Sequence, residues 1–214
     1  IVNQEALNTL VHKKIEIDEN LSVYIMIDSL DSKIIQPVLN KIIDFVLDNI
    51  NGKNVYDSFL VVLEGVNAFL KTLENQNLNI FISIIENNKL HFSRIWNICC
   101  YLINSKQEFI ELTDKTFNKL FDDISSWNLW HSEKIIISNK ELLDIITNSE
   151  ALEISALSDI NAINESLNNI IWIEWINDNF KIITLEYENE YFTPKDNKNK
   201  FDKVKYCFYK ACDN

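Results

Sequence analysis

Glycine and proline are nearly missing from this chain: Gly52, Gly65, Pro37 and Pro194 are the whole complement in 214 residues. Both residue types punctuate turns, glycine by reaching positive φ at no steric cost and proline by fixing φ. So little punctuation favours long helices over a turn-rich β fold. Cysteine is scarce as well. Cys99 and Cys100 are adjacent, and Cys207 and Cys212 lie near the end. Neither spacing matches a zinc knuckle or a redox pair, so no disulfide framework or metal staple is expected.

Basic residues are outnumbered, 20 Lys and Arg against 32 Asp and Glu, giving a formal net charge of -12. Affinity for a phosphate backbone comes from cations that displace condensed counterions, so nucleic acid is not an expected partner. The same acidity suits a basic protein partner, or simply keeps a domain in solution. No apolar run reaches the length of a bilayer span, and the first residues lack a basic segment followed by an apolar one. The expectation is a soluble, cytoplasmic chain without membrane insertion.

What is abundant is apolar side chain, 47% of the sequence. Ile35, Val38, Leu39, Ile42, Val46 and Ile50 recur at helical spacing, widened by Ile43, Phe45 and Leu47. Asp31 and Ser32 are candidate caps, Asn51-Gly52 supplies a stop, and Pro37 predicts a start later than the apolar pattern. Asn54 to Leu73 repeats the stripe, with Gly65 inside it as a place where another helix can approach closely. Leu78 to Ile85, Leu90 to Ile103 and Gln107 to Ile124 read as further helices, joined by connections short enough to make neighbours antiparallel. Gln4 to Lys13 reads as a short amphipathic helix. Asp18 to Leu30 reads as another, although its β-branched run leaves a strand open. Lys140 to Ile146 and a segment capped by Ser158-Asp159 add two more.

Beyond Asn168 the period shifts. Ile170 to Ile176 is β-branched and aromatic, Asn177-Asp178-Asn179 is a turn cluster, and Phe180 to Glu188 alternates, which predicts a hairpin. Lys203 to Cys212 fits a third strand nearly as well as a helix. The fold class expected is therefore mainly α, an antiparallel multi-helix array or bundle over residues 1–168, followed by a small antiparallel β hairpin or meander over 169–214.

Catalytic signals are thin. His131 with Glu133 has the residue types of a base and its orienting partner, but two residues make no site, and no metalloprotease, glycine-loop or nucleophile-elbow pattern is present. Asp122-Asp123 lacks the second acidic cluster that a magnesium site of paired carboxylates needs. No cofactor or metal is expected. The tail offers a partner surface instead: Trp172 and Trp175 beside Glu174, Glu186 and Glu188 form an aromatic and acidic patch suited to a basic protein. The reading that follows is a non-enzymatic interaction module, of the inhibitor or immunity type or a subunit of a larger assembly. The alternatives are a helical scaffold fragment of a larger protein and an enzyme whose site uses scattered carboxylates and His131.

Overall fold

The structure, a computed structural model, describes residues 10–51, 53–73, 77–113, 118–139, 141–173, 181–189 and 202–210. In chain order the elements are β1 (Leu10–Asp18), β2 (Leu21–Ser29), α1 (Ser32–Asn49), α2 (Val55–Leu70), β3 (Leu78–Glu86), β4 (Lys89–Ile95), β5 (Cys99–Ile103), β6 (Phe109–Glu111), β7 (Ser125–Asn128) and β8 (Lys134–Ser138). A 3₁₀ turn at Leu142–Asp144, α3 (Asn148–Ser155), α4 (Ile160–Ile173), β9 (Lys181–Asn189) and β10 (Asp202–Lys210) follow. Two five-stranded sheets result, ordered β1-β2-β3-β4-β7 and β10-β9-β8-β5-β6. The fold is α+β, not a helical array.

The two α1 and α2 stripes are correct and pack together. Asp31 caps α1, its side chain accepting from the Lys33 N–H at 3.0 Å. The helix nevertheless starts at Ser32, ahead of Pro37. The N–H that Pro37 lacks would have met the carbonyl of Lys33, and both residues are exposed, so that carbonyl is open to solvent. Gly52, the predicted stop, is outside the described residues; α1 ends with the extended Ile50, whose N–H bonds Val46.

The helix expectations for Leu78 to Ile85 and Leu90 to Ile103 fail for one reason, which the Ile run after Lys134, given no element in advance, shares. Leu78–Glu86, Lys89–Ile95, Cys99–Ile103 and Lys134–Ser138 are strands buried on both faces. On β2 and β3 the cross-strand pairs Val23–Ile84, Ile25–Ile82 and Ile27–Ile80 point at Ile35, Val38, Ile42 and Val46 of α1 and at Phe59, Val62 and Val66 of α2. The opposite face, with Tyr24, Met26, Phe81 and Ile85, is buried too. A strand covered on both sides loses its alternation and reads as a continuous apolar run, which periodicity cannot tell from a buried helix. Among its described residues Gln107 to Ile124 contributes the short β6 and no helix, residues 114–117 lying outside the described ones, and Asp18 to Leu30 takes its strand alternative.

Scarce glycine did not exclude turns, because other residues occupy the left-handed region: Asn54, Asn87, Trp96, Gln107 and Ser132 have φ between 47° and 66°. Asn87-Asn88 closes the β3–β4 hairpin, a place where Asn tolerates positive φ.

In the tail, Asp159 does cap α4, accepting from the Ala162 N–H at 3.1 Å. Ile170 to Ile173 is the end of α4 rather than a strand, and 174–180 lies outside the described residues. β9 is a strand as expected, paired with β8 on one side and β10 on the other. Helix α3 went unforeseen although Thr147 and Glu150 form a capping box. Among the described residues no helix is long and apolar enough to cross a membrane.

The described residues divide into two compact units, one of Ile1–Glu86, His91–Trp96 and Phe117–Ile124, the other of Asn87–Leu90, Asn97–Thr116 and Ser125–Asn214. The first has the α1, α2, β2 and β3 core described above. In the second, Ile163, Leu167 and Ile171 of α4 and Ile154 of α3 pack on Cys99, Tyr101, Ile136 and Ile182 of the sheet. Tyr101 is buried and its hydroxyl accepts from the Leu142 N–H at 2.8 Å. The Thr184 hydroxyl donates to Asn164 Oδ1 at 2.6 Å, joining β9 to α4.

Gly65 of α2 lies against the Phe45 ring of α1: a Cβ built there meets Cε1 of Phe45 at 2.7 Å. Gly65→Ala is expected to lower the midpoint of thermal unfolding. Overpacking costs about 1–3 kcal/mol, against the roughly 1 kcal/mol that Ala gains over Gly in a helix. Adding Phe45→Leu should recover the loss, and a midpoint unchanged or raised by Gly65→Ala alone contradicts the tight contact.

Candidate functional site

The register of β2 against β3 sets Asp28 opposite Asn79 and Ser29 opposite Leu78. The end of β2 and the start of β3 therefore share one edge of the sheet, and a cavity of about 270 Å³ opens there, lined by Asp28, Ser29, Leu30, Asn77, Asn79 and Trp96. Asn79 Nδ2 donates to Asp28 Oδ2 at 3.3 Å. Ser29 Oγ accepts from the Asp31 N–H at 3.1 Å, which fixes the turn from β2 into α1. Leu30 stands at the rim, 76% exposed.

Trp96 closes the other side from a left-handed backbone, φ 58°, a conformation costly for a bulky side chain. Its N–H donates to the Asn118 carbonyl at 3.0 Å, and its own carbonyl accepts from Arg94 Nη1 at 3.3 Å. Lys119 Nζ lies 5.8 Å from the indole centroid, within cation–π reach. Strained residues held this way concentrate at binding sites. Chemically the lining offers one carboxylate, one hydroxyl and two carboxamides, a set that donates and accepts hydrogen bonds and carries a single negative charge.

The residues singled out in the sequence fall elsewhere. Glu186, on β9, is 7% exposed and pairs with Lys134 Nζ at 3.7 Å, across from it in the register. Lys134 also donates to the Ser132 carbonyl at 3.0 Å. Trp172 is in α4 and Glu188 in β9, and Glu174 and Trp175 lie outside the described residues. The indoles seen at the surface are Trp127, 38% exposed, and Trp130, 66% exposed. Glu133 is buried, its Oε2 accepting from the Trp130 N–H at 3.0 Å and its Oε1 from the Ser105 N–H at 3.4 Å. Oε2 thus holds the loop before β8, and Oε1 ties that loop to the turn between β5 and β6. Burial raises the Glu133 carboxyl above its ordinary range, and the two N–H donors oppose that rise. Among the described residues, no three His, Cys, Asp or Glu side chains converge as a metal-holding group.

The Asp28 cavity went unnoticed in the sequence. Its only local signal was the β-branched run around Val23 to Ile27 ahead of Asp28-Ser29, and of its other wall Asn77 sat in what read as a connection and Asn79 in what read as a helix.

No protein-family profile matches the chain, and no curated protein matches it by sequence. Solved structures do. "PppA, a key regulatory component of T6SS in Pseudomonas aeruginosa" superposes with a TM-score of 0.58 at 11% identity, over 82% of this chain and 95% of that one. The PP2C phosphatase domain with a fragment of the regulatory domain of the cell fate determinant SpoIIE from Bacillus subtilis gives 0.60 at 11%, over 77% and 52%. The fold is PP2C phosphatase-like. The catalytic domain of the serine threonine protein phosphatase PstP, in complex with 2 manganese ions, gives 0.57 at 12%, over 82% and 95%. This likeness overturns the helical interaction module and the helical scaffold alike, since a PP2C-like fold needs the two sheets that the helical reading left out. Glu133, the orienting partner suggested for His131, spends its carboxylate on backbone N–H groups.

Lys134→Met is expected to destabilise the chain, by up to about 3–5 kcal/mol, because it removes an ion partner of the buried Glu186 carboxylate. Lys134→Met with Glu186→Leu should recover most of that loss in urea unfolding, and a single variant as stable as the parent contradicts the pair. For Glu133 the folded pKa is raised, so its contribution to stability is complete below the unfolded value of 4.5 and is lost as pH rises through the folded value. Glu133→Gln should flatten that part of the pH profile of unfolding free energy. An identical slope in the variant assigns it to other groups.

Proposed function

We propose that this chain is a regulatory protein of serine/threonine phosphorylation signalling, built on the PP2C phosphatase-like fold and acting through a protein partner. The fold carries the reading: domains of the same architecture include a serine/threonine phosphatase catalytic domain and a protein described as a regulatory component. Regulation is favoured over hydrolysis by the donor set. A pair of divalent ions needs several oxygen ligands, carboxylates foremost, to balance its charge and to hold the two ions about 3.5–4 Å apart. The Asp28 cavity offers one carboxylate, already accepting from Asn79, with Arg94 and Lys119 at its Trp96 wall. The described residues do not fit such a pair.

The test is quantitative phosphoproteomics of native cells with the gene removed and restored. Removal is expected to change occupancy at a defined set of phosphoserine and phosphothreonine sites, and the restored gene to reverse it. A phosphoproteome indifferent to removal overturns the reading.

A further inference from the structure

We infer that the turn from β5 to β6 is a self-modifying site, at which the Asn104 side chain cyclises onto the backbone nitrogen of Ser105 and ends as aspartate or isoaspartate. The inference is independent of the signalling reading. A backbone amide is a poor nucleophile until its proton is removed, so the reaction needs a base at that N–H and donors at the carbonyl oxygen under attack. The turn supplies both. The Ser105 N–H donates to Glu133 Oε1 at 3.4 Å, while the Trp130 N–H, donating to Oε2 at 3.0 Å, orients the same carboxylate. Burial makes Glu133 a stronger base than a solvated carboxylate.

Asn104 Oδ1 accepts from the Lys106 N–H and from the Glu108 N–H, both at 2.9 Å. Two backbone donors on one carbonyl oxygen stabilise the charge that develops there during attack. The Lys106 bond also folds the side chain back along its own backbone as an Asx turn, which turns Cγ toward the next peptide nitrogen. Asn104 Nδ2 donates to Glu108 Oε2 at 2.6 Å on the exposed side of the turn, where ammonia departs into water. In the first step Ser105 N bonds to Asn104 Cγ as its proton passes to Glu133, and the carbonyl π electrons move to Oδ1. They return as the Cγ–Nδ2 bond breaks, Nδ2 takes a proton by way of Glu133 and solvent, and ammonia leaves a cyclic imide. Water then opens the ring, at Cγ to aspartate or at the backbone carbonyl to isoaspartate. The balance is asparagine plus water to an aspartyl residue plus ammonia, with no oxidant or cofactor. Either product sets a second carboxylate against Glu108 in place of an amide donor, so the turn loses a bond and gains a repulsion.

The full chain is incubated at neutral pH in buffer and, in parallel, in denaturing guanidinium chloride. Peptides are mapped by mass spectrometry and isoaspartate is detected by enzymatic methylation. Asn148-Ser149, the same residue pair at the start of α3, is the reference within the chain. Asn104 is expected to gain the mass difference between a hydroxyl and an amino group faster in the folded chain than in denaturant, whereas Asn148 gains nothing from folding. Glu133→Gln, in a chain shown by circular dichroism to be folded, should slow Asn104 by about a hundredfold, the worth of a general base. Conversion of Asn104 no faster in the folded chain than in denaturant, or an unchanged rate in folded Glu133→Gln, overturns the inference. Should that variant not fold, the comparison of folded and denatured parent decides alone.

Discussion

Burial of the central strands from both sides is the constraint on which the rest of this structure depends. β2 and β3 lie in the middle of one sheet and β5 and β8 in the other, and each carries large side chains out of water above and below. At roughly 25 cal/mol per Å² of apolar surface, a two-sided strand is worth about twice a strand with one wet face. It also demands full pairing of its backbone, since no water reaches unpaired groups. The nine-residue register of β2 against β3 meets that demand and, at its last two pairs, brings Asp28 and Ser29 to Asn79 and Leu78. The cavity is thus a product of where pairing stops.

How much of this was legible varied with the physics of each segment. α1 and α2 were read correctly because each keeps a wet face, leaving a stripe of defined period. β9 was read correctly because Glu186 and Glu188 alternate with Leu185 and Tyr187 along it, although Glu186 turns out to be a buried charge held by Lys134. β3, β4 and β5 were misread because no wet face marks their period. The turns were misread because Asn87, Gln107 and Ser132 occupy conformations that glycine would have flagged. The cavity depends on a pairing between segments some fifty residues apart, Asp28 with Asn79, and single-sequence periodicity holds no information on such pairings.

Polar groups taken inside are used structurally in both units. Glu133 ties the loop before β8, Lys134 and Glu186 cross-link neighbouring strands, and Thr184 with Asn164 joins strand to helix. These groups are spent on the fold, which is why carboxylates that looked available in the sequence are not available to an outside substrate. Asp28, too, accepts from a neighbouring strand through Asn79, at the end of β2 beside the cavity.

The substitution of asparagine, tryptophan, glutamine and serine for glycine at left-handed positions has a thermodynamic side. Each such residue costs on the order of 1–2 kcal/mol in the native backbone, yet each also narrows the range of conformations open to the denatured chain. That gain, about 0.4–1 kcal/mol per site, is smaller than the strain, so at the five positions described the surrounding packing and pairing hold the backbone in place.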